Sequence, residues 1–287
     1  MLVAERLPWT LRAYRGFASL ATPMARIVLA RRLARGKEHP QRLPERRGET
    51  RIARPGGPLI WAHGASVGEM LSVIPLVEGI RARNFNVLVT SGTVTSARLA
   101  DERLPPNVIH QFVPLDTPRY AARFIEHWQP NLALLAESDL WPNLIMACTE
   151  KGIPLILVNG RLSERSFTRW RYLPNTIGAL LSRFDLCLTQ SEPDAERYSE
   201  LGAAILHGPH VWNFTEIYAA LDEAHGAEEV LDVNKLALRI GSWLTDAALR
   251  KRVADAGLAT VDQLGGALRR TLSAIEPYLM QLDLERR

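Results

Sequence analysis

The sequence predicts an α/β protein whose main domain is a doubly wound parallel sheet. Six short apolar segments, each bounded by Gly, Pro, Asn or Asp, are typical of buried β-strands. Longer helix-like stretches separate these segments from one another between residues 58 and 203. Regular alternation of strand and helix favours a parallel sheet with helices on both faces.

The predicted elements follow one another with short connections. The strands are expected at 58–63, 86–90, 108–114, 131–136, 153–159 and 186–190. The helices are expected at 68–83, 95–103, 117–128, 140–151, 163–183 and 193–201. Ligands of such sheets bind beyond the carboxyl ends of the strands, so the loops that follow the strands are expected to carry the site.

The last part of the chain has a different pattern. One short strand is predicted at 204–207, and the helices after it are expected at 214–225, 233–255 and 258–283. One or two strands are too few for an independent parallel sheet. We therefore expect residues 204–287 to be a truncated, mostly helical remnant of a second domain.

The N-terminal arm is basic and amphipathic. Residues 1–57 carry 13 Lys and Arg against 4 Asp and Glu, whereas the rest of the chain is mildly acidic. Apolar residues recur at helical spacing, and the longest charge-free stretch, Gly16–Ala25, is too short to span a bilayer. We expect a helix that lies on an anionic membrane surface, and no binding of nucleic acid. The alternative is a helix packed on the body with its basic face in solvent.

The cysteine content indicates neither a disulfide framework nor a metal centre. Only Cys148 and Cys187 are present, and each lies within an apolar element. Because no group of residues has the spacing of metal ligands, neither a metal nor a cofactor is expected.

The segment WAHGASVGEM at 61–70 leaves two chemical interpretations open. Its G-A-S-V-G matches the G-x-S-x-G elbow of serine hydrolases, with Ser66 as nucleophile and His207 or His210 as base. In hydrolases, however, that elbow follows a central strand, whereas here it follows the first predicted strand. In the second interpretation Ser66 caps a helix, and Glu69 accepts a proton from an incoming hydroxyl. A glutamate in the first helical turn can also simply favour the helix dipole.

A second carboxylate is expected near Glu69. Glu137 follows the fourth predicted strand, so it also points toward the carboxyl-end crevice. Two carboxylates there allow one to accept a proton while the other orients it or stabilises charge. Asp139, two residues later, is expected only to cap the next helix.

Polar residues in other loops could contact a sugar or phosphate. Gly68, in the loop that opens the first helix of the sheet domain, allows a ligand to approach the backbone. Ser91, Thr93 and Thr95 form a hydroxyl-rich loop that either binds such groups or only caps the next helix. Arg161 lies beyond the fifth predicted strand, where it could hold a phosphate with two hydrogen bonds.

Taken in order, several motifs resemble the acceptor half of the 3-deoxy-D-manno-octulosonic acid (Kdo) transferases. They are HGASVGE, TSGTVTSA, PLD, AESDLWPN, NGRLSERS and QSEPDAERYSELGA. The basic arm and the stretch GKEHPQRLPERRGE are similar as well, so the resemblance covers about residues 1–203. It implies a GT-B glycosyltransferase, in which two Rossmann-like domains face each other across a cleft.

The resemblance also implies a reaction and the residues that perform it. Kdo would pass from CMP-Kdo to the lipid A precursor by an inverting, metal-independent transfer at the cytoplasmic face of the bacterial inner membrane. Glu69 would be the general base and Glu137 a stabiliser of the transition state. The expected contacts with the acceptor are Ser66, Gly68, Ser91, Thr93, Thr95 and Arg161.

The C-terminal part departs from the family pattern. Residues 204–214, AILHGPHVWNF, resemble a later donor-domain segment of the family, and they supply the donor-binding candidates Gly208, Pro209, His210 and Asn213. We therefore expect most of the donor domain to be missing internally. Two functions stay open beside the serine hydrolase: transfer of Kdo, and binding of the lipid A precursor without transfer.

Overall fold

The structure is a computed structural model that describes residues 7–136, 140–191 and 267–286, together with isolated positions between 194 and 256. For residues 267–270 and 285–286 it describes the backbone alone. Residue contacts divide the chain into two units, residues 1–207 with 272–287, and residues 208–271. The first unit holds the sheet, and nearly all of the second lies outside the described residues.

The described elements form an α/β sequence preceded by two helices and a 3-10 helix. The strands are β1 (Leu59–His63), β2 (Asn86–Ser91), β3 (Ile109–Phe112), β4 (Leu132–Ala136), β5 (Leu155–Gly160) and β6 (Leu186–Thr189). The helices are α1 (Trp9–Leu20), α2 (Thr22–Ala34), the 3-10 helix (Pro40–Arg47), α3 (Val67–Ala82), α4 (Val94–Arg103), α5 (Pro118–Trp128), α6 (Pro142–Glu150), α7 (Glu164–Trp170), α8 (Pro174–Leu181) and α9 (Ala267–Arg286).

The six strands form one parallel sheet in the order β3-β2-β1-β4-β5-β6, which confirms the predicted fold class and all six predicted strands. This is the doubly wound order, in which the chain moves outward from β1 to β3 and then returns to the other side of β1. The order reverses between β1 and β4, so the carboxyl ends of these two strands border a crevice. Ligands of such folds bind there.

A hydrophobic core covers each face of the sheet. Trp61 and Leu135 belong to the face under α1, α5, α6 and α8, whereas Ile60 and Leu134 belong to the face under α3, α4 and α9. All five residues of β1 and of β4 are buried, as expected for strands covered on both sides.

One helix prediction is wrong. A single helix was predicted at 163–183, but α7 ends at Trp170 and α8 begins at Pro174. Proline has no N–H to donate and restricts the residue before it, and Leu173 accordingly has the non-helical angles φ −131° and ψ 54°. The apolar periodicity continues through both helices, which is why the break was missed.

The end of the chain returns to the sheet. Leu272 packs on α3 at Gly79, and Ile275, Leu279 and Leu282 are buried in the core on that face. The predicted helix at 258–283 is described from residue 267 and continues to residue 286. The strand predicted at 204–207 and the helices predicted at 214–225 and 233–255 lie almost wholly outside the described residues.

The 3-10 helix seals the edge of the sheet at β3. An edge strand has backbone groups with no neighbouring strand, and covering them with another element prevents pairing with a second chain. The Glu45 carboxylate accepts the Phe112 N–H at 2.7 Å, and Arg42 donates to the His110 carbonyl at 3.0 Å. The basic stretch that follows the arm therefore has a structural role at this edge.

The N-terminal arm packs on the domain through one face and exposes the other. Leu11, Ala18, Ala25 and Leu29 are buried. The opposite side carries large exposed apolar side chains, namely Trp9, Phe17, Leu20, Met24, Ile27 and Val28. Within the described part of the chain, no helix is long and apolar enough to cross a membrane. The arm therefore packs on the body, as the second of the two sequence interpretations expected. Its outer face is not only basic, however, because it also carries exposed apolar side chains.

Two glycines with the same backbone conformation test the packing of the linker. Gly36 has φ +67° with open space around it, whereas Gly48 has φ +70° and an added Cβ would overlap the Tyr120 carbonyl. We expect Gly36→Ala to lower the free energy of unfolding by about 1 kcal/mol through backbone strain alone. Gly48→Ala should lose about 1–3 kcal/mol more, because α5 must shift. Urea denaturation of both variants measures this difference, and equal losses would contradict the described contact.

Candidate active site

Glu69 lies in the first turn of α3, beside the crevice between β1 and β4. Its Oε2 accepts a hydrogen bond from the Ala65 N–H at 2.7 Å, and the residue is 7% exposed. No partner of Oε1 lies among the described residues. One oxygen therefore fixes the orientation of the carboxylate, while the other is available to an incoming group.

The loops after β1 and β2 are locked together behind this carboxylate. The Ala65 carbonyl accepts the Gly92 N–H at 2.9 Å and the Ser96 hydroxyl at 3.2 Å. An added Cβ on Gly92 would lie 2.8 Å from that same carbonyl oxygen, so only glycine allows this approach. The position of Ala65, and with it the N–H that holds Glu69, depends on both loops.

Ser66 is the N-cap residue of α3. Its Oγ accepts the Glu69 N–H at 3.3 Å, which satisfies one of the free backbone donors at the helix start. Among the described residues, no histidine lies within hydrogen-bond distance of this oxygen. The proposed hydrolase bases His207 and His210 lie outside the described residues. The geometry favours the capping role predicted as the alternative to a nucleophile.

Gly68 has no packing reason to be glycine. The nearest atom to an added Cβ is the Ser66 Oγ at 3.9 Å, and the position is exposed. A glycine inside a helix costs roughly 1 kcal/mol relative to alanine. The start of α3 is therefore uncovered at this position, and contact of Gly68 with a ligand stays a prediction.

The hydroxyl-rich loop after β2 divides into structural and exposed residues. Ser91 is fully buried and its Oγ bonds to His110 Nε2 at 2.9 Å, so it does not face the crevice as an open donor. Thr93 caps α4 in a reciprocal pair with Ser96. Thr95 is exposed in the first turn of the same helix.

Arg161 directly follows β5 and is exposed. Arg165 and Arg169, four and eight residues later, are exposed as well. No carboxylate pairs with any of these three guanidinium groups within the described part of the chain. These three exposed guanidinium groups, two of them one turn apart on α7, are free to meet an anion.

Glu137, the predicted second carboxylate, lies outside the described residues, as do Ser138 and Asp139. The donor-binding candidates Gly208, Pro209, His210 and Asn213 also lie outside them. The preceding residue, Ala136, ends β4 beside β1, so the chain enters the Glu137 segment at the border of the crevice.

His63, at the end of β1, is a buried residue that the sequence interpretation did not single out. Its Nδ1 lies 2.8 Å from the Thr90 Oγ1, which also accepts the Trp61 indole N–H. Burial is the main cause that lowers the pKa of His63 to about 4; the hydrogen bond to the Thr90 backbone opposes the shift, and the positive charge of Arg46 adds a smaller contribution to it. The imidazole is therefore neutral at neutral pH and supports the loop as part of the core.

Asp116 joins three elements near the start of α6. Its carboxylate accepts the Asn143 N–H at 3.1 Å, the Leu144 N–H at 3.0 Å and the Tyr14 hydroxyl at 2.9 Å. Burial raises the pKa of Asp116, and these hydrogen bonds oppose the rise. The motif PLD thus serves to tie α1 to the helix that follows the Glu137 segment, a role that spacing alone did not indicate.

Cys148 and Cys187 are both free and buried. Burial raises the pKa of the Cys187 thiol to about 12 and raises that of Cys148 further. Both therefore pack as small apolar residues. Among the described residues no group of His, Cys, Asp and Glu is arranged to hold a metal ion.

A sequence model of the family described as 3-deoxy-D-manno-octulosonic-acid transferase (kdotransferase) matches residues 41–207, more than half of the chain. The chain belongs to this family. A probable mitochondrial Kdo transferase of Arabidopsis thaliana is 39% identical over 202 residues, which are 69% of this chain and 44% of the relative. The Kdo transferase of Rickettsia felis is 38% identical over 146 residues, 50% of this chain and 31% of the relative.

The chain spans less than half the length of these curated Kdo transferases. Among solved structures, a glycosyltransferase from Rickettsia africae aligns with a TM-score of 0.40 at 9% identity, over 61% of this chain and 52% of that one. So distant a structural likeness carries no argument about this chain. The family membership agrees with a transferase and removes support from the hydrolase interpretation of Ser66.

His63, which is buried, and His110, which is partly buried, make a measurable prediction for the dependence of stability on pH. The pKa of His63 falls to about 4 and that of His110 to about 3, both chiefly through burial. Below about pH 6.5 the unfolded chain therefore binds more protons than the folded chain. As the pH is lowered from there to the folded pKa of each histidine, that histidine lowers the free energy of unfolding by up to about 1.4 kcal/mol per pH unit.

We expect His63→Asn to reduce this slope by about half between pH 6.5 and 4.5, since one of the two histidines then no longer titrates. His110→Asn is the matched variant and should have a similar effect. Urea denaturation across this pH range gives the slopes. An unchanged slope in His63→Asn would show that its imidazole is not held neutral by burial.

Proposed function

We propose that this chain acts in the transfer of Kdo from CMP-Kdo to the lipid A precursor, with Glu69 as general base. The observation that carries the proposal is the geometry of the Glu69 carboxylate. One oxygen is fixed by the Ala65 N–H at 2.7 Å, and the other has no described partner at the border of the crevice. A base must be oriented before its substrate arrives, and this hydrogen bond supplies that orientation.

In the proposed reaction, Glu69 accepts the proton of an acceptor hydroxyl through its free oxygen. The hydroxyl oxygen forms a bond to the anomeric carbon of Kdo while the bond from that carbon to the CMP phosphate breaks. CMP leaves with the electron pair of the broken bond. Because the attack comes from the side opposite the leaving group, one displacement inverts the configuration. Glu137 is proposed to stabilise the transition state.

The acceptor is proposed to lie along the exposed side of the crevice. Gly68 and Ser66 leave the start of α3 open, and Thr93 and Thr95 offer exposed positions at the start of α4. The exposed Arg161, Arg165 and Arg169 are suited to a phosphorylated acceptor, since guanidinium groups bind phosphate with two hydrogen bonds. Ser91 is proposed to support this loop from inside through His110.

The outer face of α1 and α2 is proposed to rest on the membrane that contains the acceptor. Phe17 and Leu20 are 72% and 83% exposed, which is a large unburied apolar area for a water-soluble surface. The exposed Arg12, Arg26 and Arg31 lie on the same two helices and would meet anionic headgroups. This proposal places the chain at the cytoplasmic face of the inner membrane as a peripheral protein.

Binding of the lipid A precursor without transfer is the second candidate. The family model covers residues 41–207, the part that carries the proposed acceptor site, and the proposed donor residues follow that range. In this case Glu69 would contact the acceptor but would move no proton.

The variant Glu69→Gln separates these two functions. Glutamine keeps an oxygen that can accept the Ala65 N–H, so the fold and acceptor binding should persist, but it cannot take up a proton. We expect transfer to fall by about 10²–10⁴-fold. Mass spectrometry of lipid A precursor incubated with the chain and CMP-Kdo measures the added Kdo, and acceptor binding is measured on the same variants.

The matched control is Glu78→Gln on the exposed face of the same helix. It should leave both transfer and binding unchanged. Transfer that persists in Glu69→Gln would refute its role as base. A wild-type chain that binds the acceptor but adds no Kdo would establish the second candidate, and failure to bind would refute both.

Membrane docking is tested by replacing apolar side chains on the outer face of the arm. We expect the double variant Phe17→Ser/Leu20→Ser to lower the affinity for vesicles with anionic lipid by at least roughly tenfold, because each buried side chain contributes about 1.5–3 kcal/mol. Vesicle sedimentation measures the bound fraction. The control Tyr172→Ser changes a side chain that is 81% exposed elsewhere. Equal losses in both variants would contradict docking through the arm.

A further inference from the structure

Arg46 is a buried arginine at the end of the 3-10 helix and is 3% exposed. Its guanidinium donates in three directions: Nε to the Glu38 carboxylate at 2.8 Å, Nη1 to the Val113 carbonyl at 3.0 Å, and Nη2 to the Gly92 carbonyl. Glu38, itself 4% exposed, also accepts from Arg32 at 2.6 Å. The buried charge is therefore paired, and the arginine is held in one orientation.

The two carbonyls that Arg46 holds lie immediately beyond the ends of β2 and β3. Gly92 follows Ser91 and Val113 follows Phe112, so neither carbonyl has a place in the sheet ladder. A lysine could not replace the arginine here, because a single ammonium cannot direct three donors along the fixed fork of a guanidinium. Arg46 thus sets the path of the loop that leaves β2.

The loop after β2 is connected to the proposed base, Glu69, through a single residue, Ala65. The Gly92 N–H donates to the Ala65 carbonyl at 2.9 Å, and the Ala65 N–H donates to the Glu69 Oε2 at 2.7 Å. Gly92 also packs closely on Ala65, since an atom added at Gly92 would lie 2.8 Å from the Ala65 oxygen, so a displacement of Gly92 disturbs the contacts that hold Ala65. The contacts run without a gap from Arg46 to the Glu69 carboxylate.

We propose that Arg46 is a positioning residue for the general base: by clamping the Gly92 carbonyl it fixes the Ala65 peptide, and the Ala65 N–H in turn orients Glu69. The inference rests on the proposed role of Glu69 as the base. The clamp, meaning the hold of Arg46 on the Gly92 carbonyl, is a property of the fold. It can be measured by hydrogen exchange, without any transfer of Kdo.

Arg42 provides a matched control within the same 3-10 helix. Arg42 and Arg46 both lie over the Phe112 ring, at 4.6 and 4.7 Å from its centroid. Each also donates to a backbone carbonyl on the β3 side, Arg42 to His110 and Arg46 to Val113. Only Arg46 reaches Gly92 in the described structure. Substitutions of the two therefore disturb the same edge, but only one disturbs the clamp.

Hydrogen exchange of single amides tests the clamp directly. In Arg46→Lys we expect exchange of the Ala65 N–H to accelerate at least about tenfold more than that of Leu134, a buried residue of β4, because the opening is local. In Arg42→Lys both amides should accelerate by the same factor. Equal acceleration of the Ala65 and Leu134 amides in Arg46→Lys would overturn the proposal, since it would show that the substitution lowers only the global stability.

A second variant covers the case in which Arg46→Lys does not fold. Glu38→Gln keeps Arg46 but removes the negative charge that holds it, and the same preferential acceleration at Ala65 is expected. Equal acceleration of Ala65 and Leu134 in that variant would likewise overturn the proposal.

Kinetics then connect the clamp to the base. We expect Arg46→Lys to lower kcat for Kdo transfer by about 10–100-fold with KM nearly unchanged, as for a catalytic group displaced by a fraction of an ångström. Arg42→Lys should keep a kcat close to that of the wild type. If Glu69→Gln transfers Kdo normally, the proposed function fails, and the exchange experiment still decides whether Arg46 holds Ala65. If Glu69→Gln is inactive while Arg46→Lys keeps its kcat, the proposal fails alone.

Discussion

Strand β1 pairs in parallel with β2 on one side and β4 on the other, and the whole candidate site depends on this double pairing. Because all the strands run in one direction, their following loops leave at one edge of the sheet. The pairing of β1 with β2 brings Ala65 against Gly92, so that two loops distant in sequence share hydrogen bonds. The pairing of β1 with β4 then places Ala136, the last residue of β4, at the border of the same crevice. A chemical group carried by a flexible loop would lose much of its orientation, whereas here the sheet register fixes where each loop starts.

The N-terminal arm is both part of the core and part of the surface. Leu11 is buried among the residues that cover one face of the sheet, and Tyr14 donates to Asp116, which in turn accepts from the first backbone N–H groups of α6. The proposed membrane surface is therefore joined to the domain by packed side chains and does not depend on a flexible linker. If the chain docks on a membrane as proposed, a crevice with a fixed orientation to the bilayer would receive a lipid-anchored acceptor without a search over domain orientations. This lowers the entropy that binding would otherwise lose.

The sequence was sufficient to locate the sheet of the first unit but only part of the site. Strands appear as short apolar runs between turn residues, and that local signal located all six of them. The break before Pro174 was missed because the apolar periodicity on its two sides is in phase. Arg46 and His63 were missed for another reason: their importance comes from partners far along the chain, Gly92 for the first and Thr90 for the second. Such contacts follow from the sheet register, which a single sequence does not display.

The two interpretations of Glu69 offered by the sequence, a helix-start residue and a chemical base, are compatible in one geometry. A carboxylate has two oxygens, and the structural role occupies one of them through the Ala65 N–H. That hydrogen bond restricts rotation of the side chain, and the orientation of the second oxygen follows from that of the first. Ser66 contributes by accepting the Glu69 N–H, so the backbone of the base is fixed as well. The contacts expected of a purely structural Glu69 are therefore the same contacts that a base needs. The two roles can be distinguished only by a variant that keeps the hydrogen bond to Ala65 but cannot take up a proton.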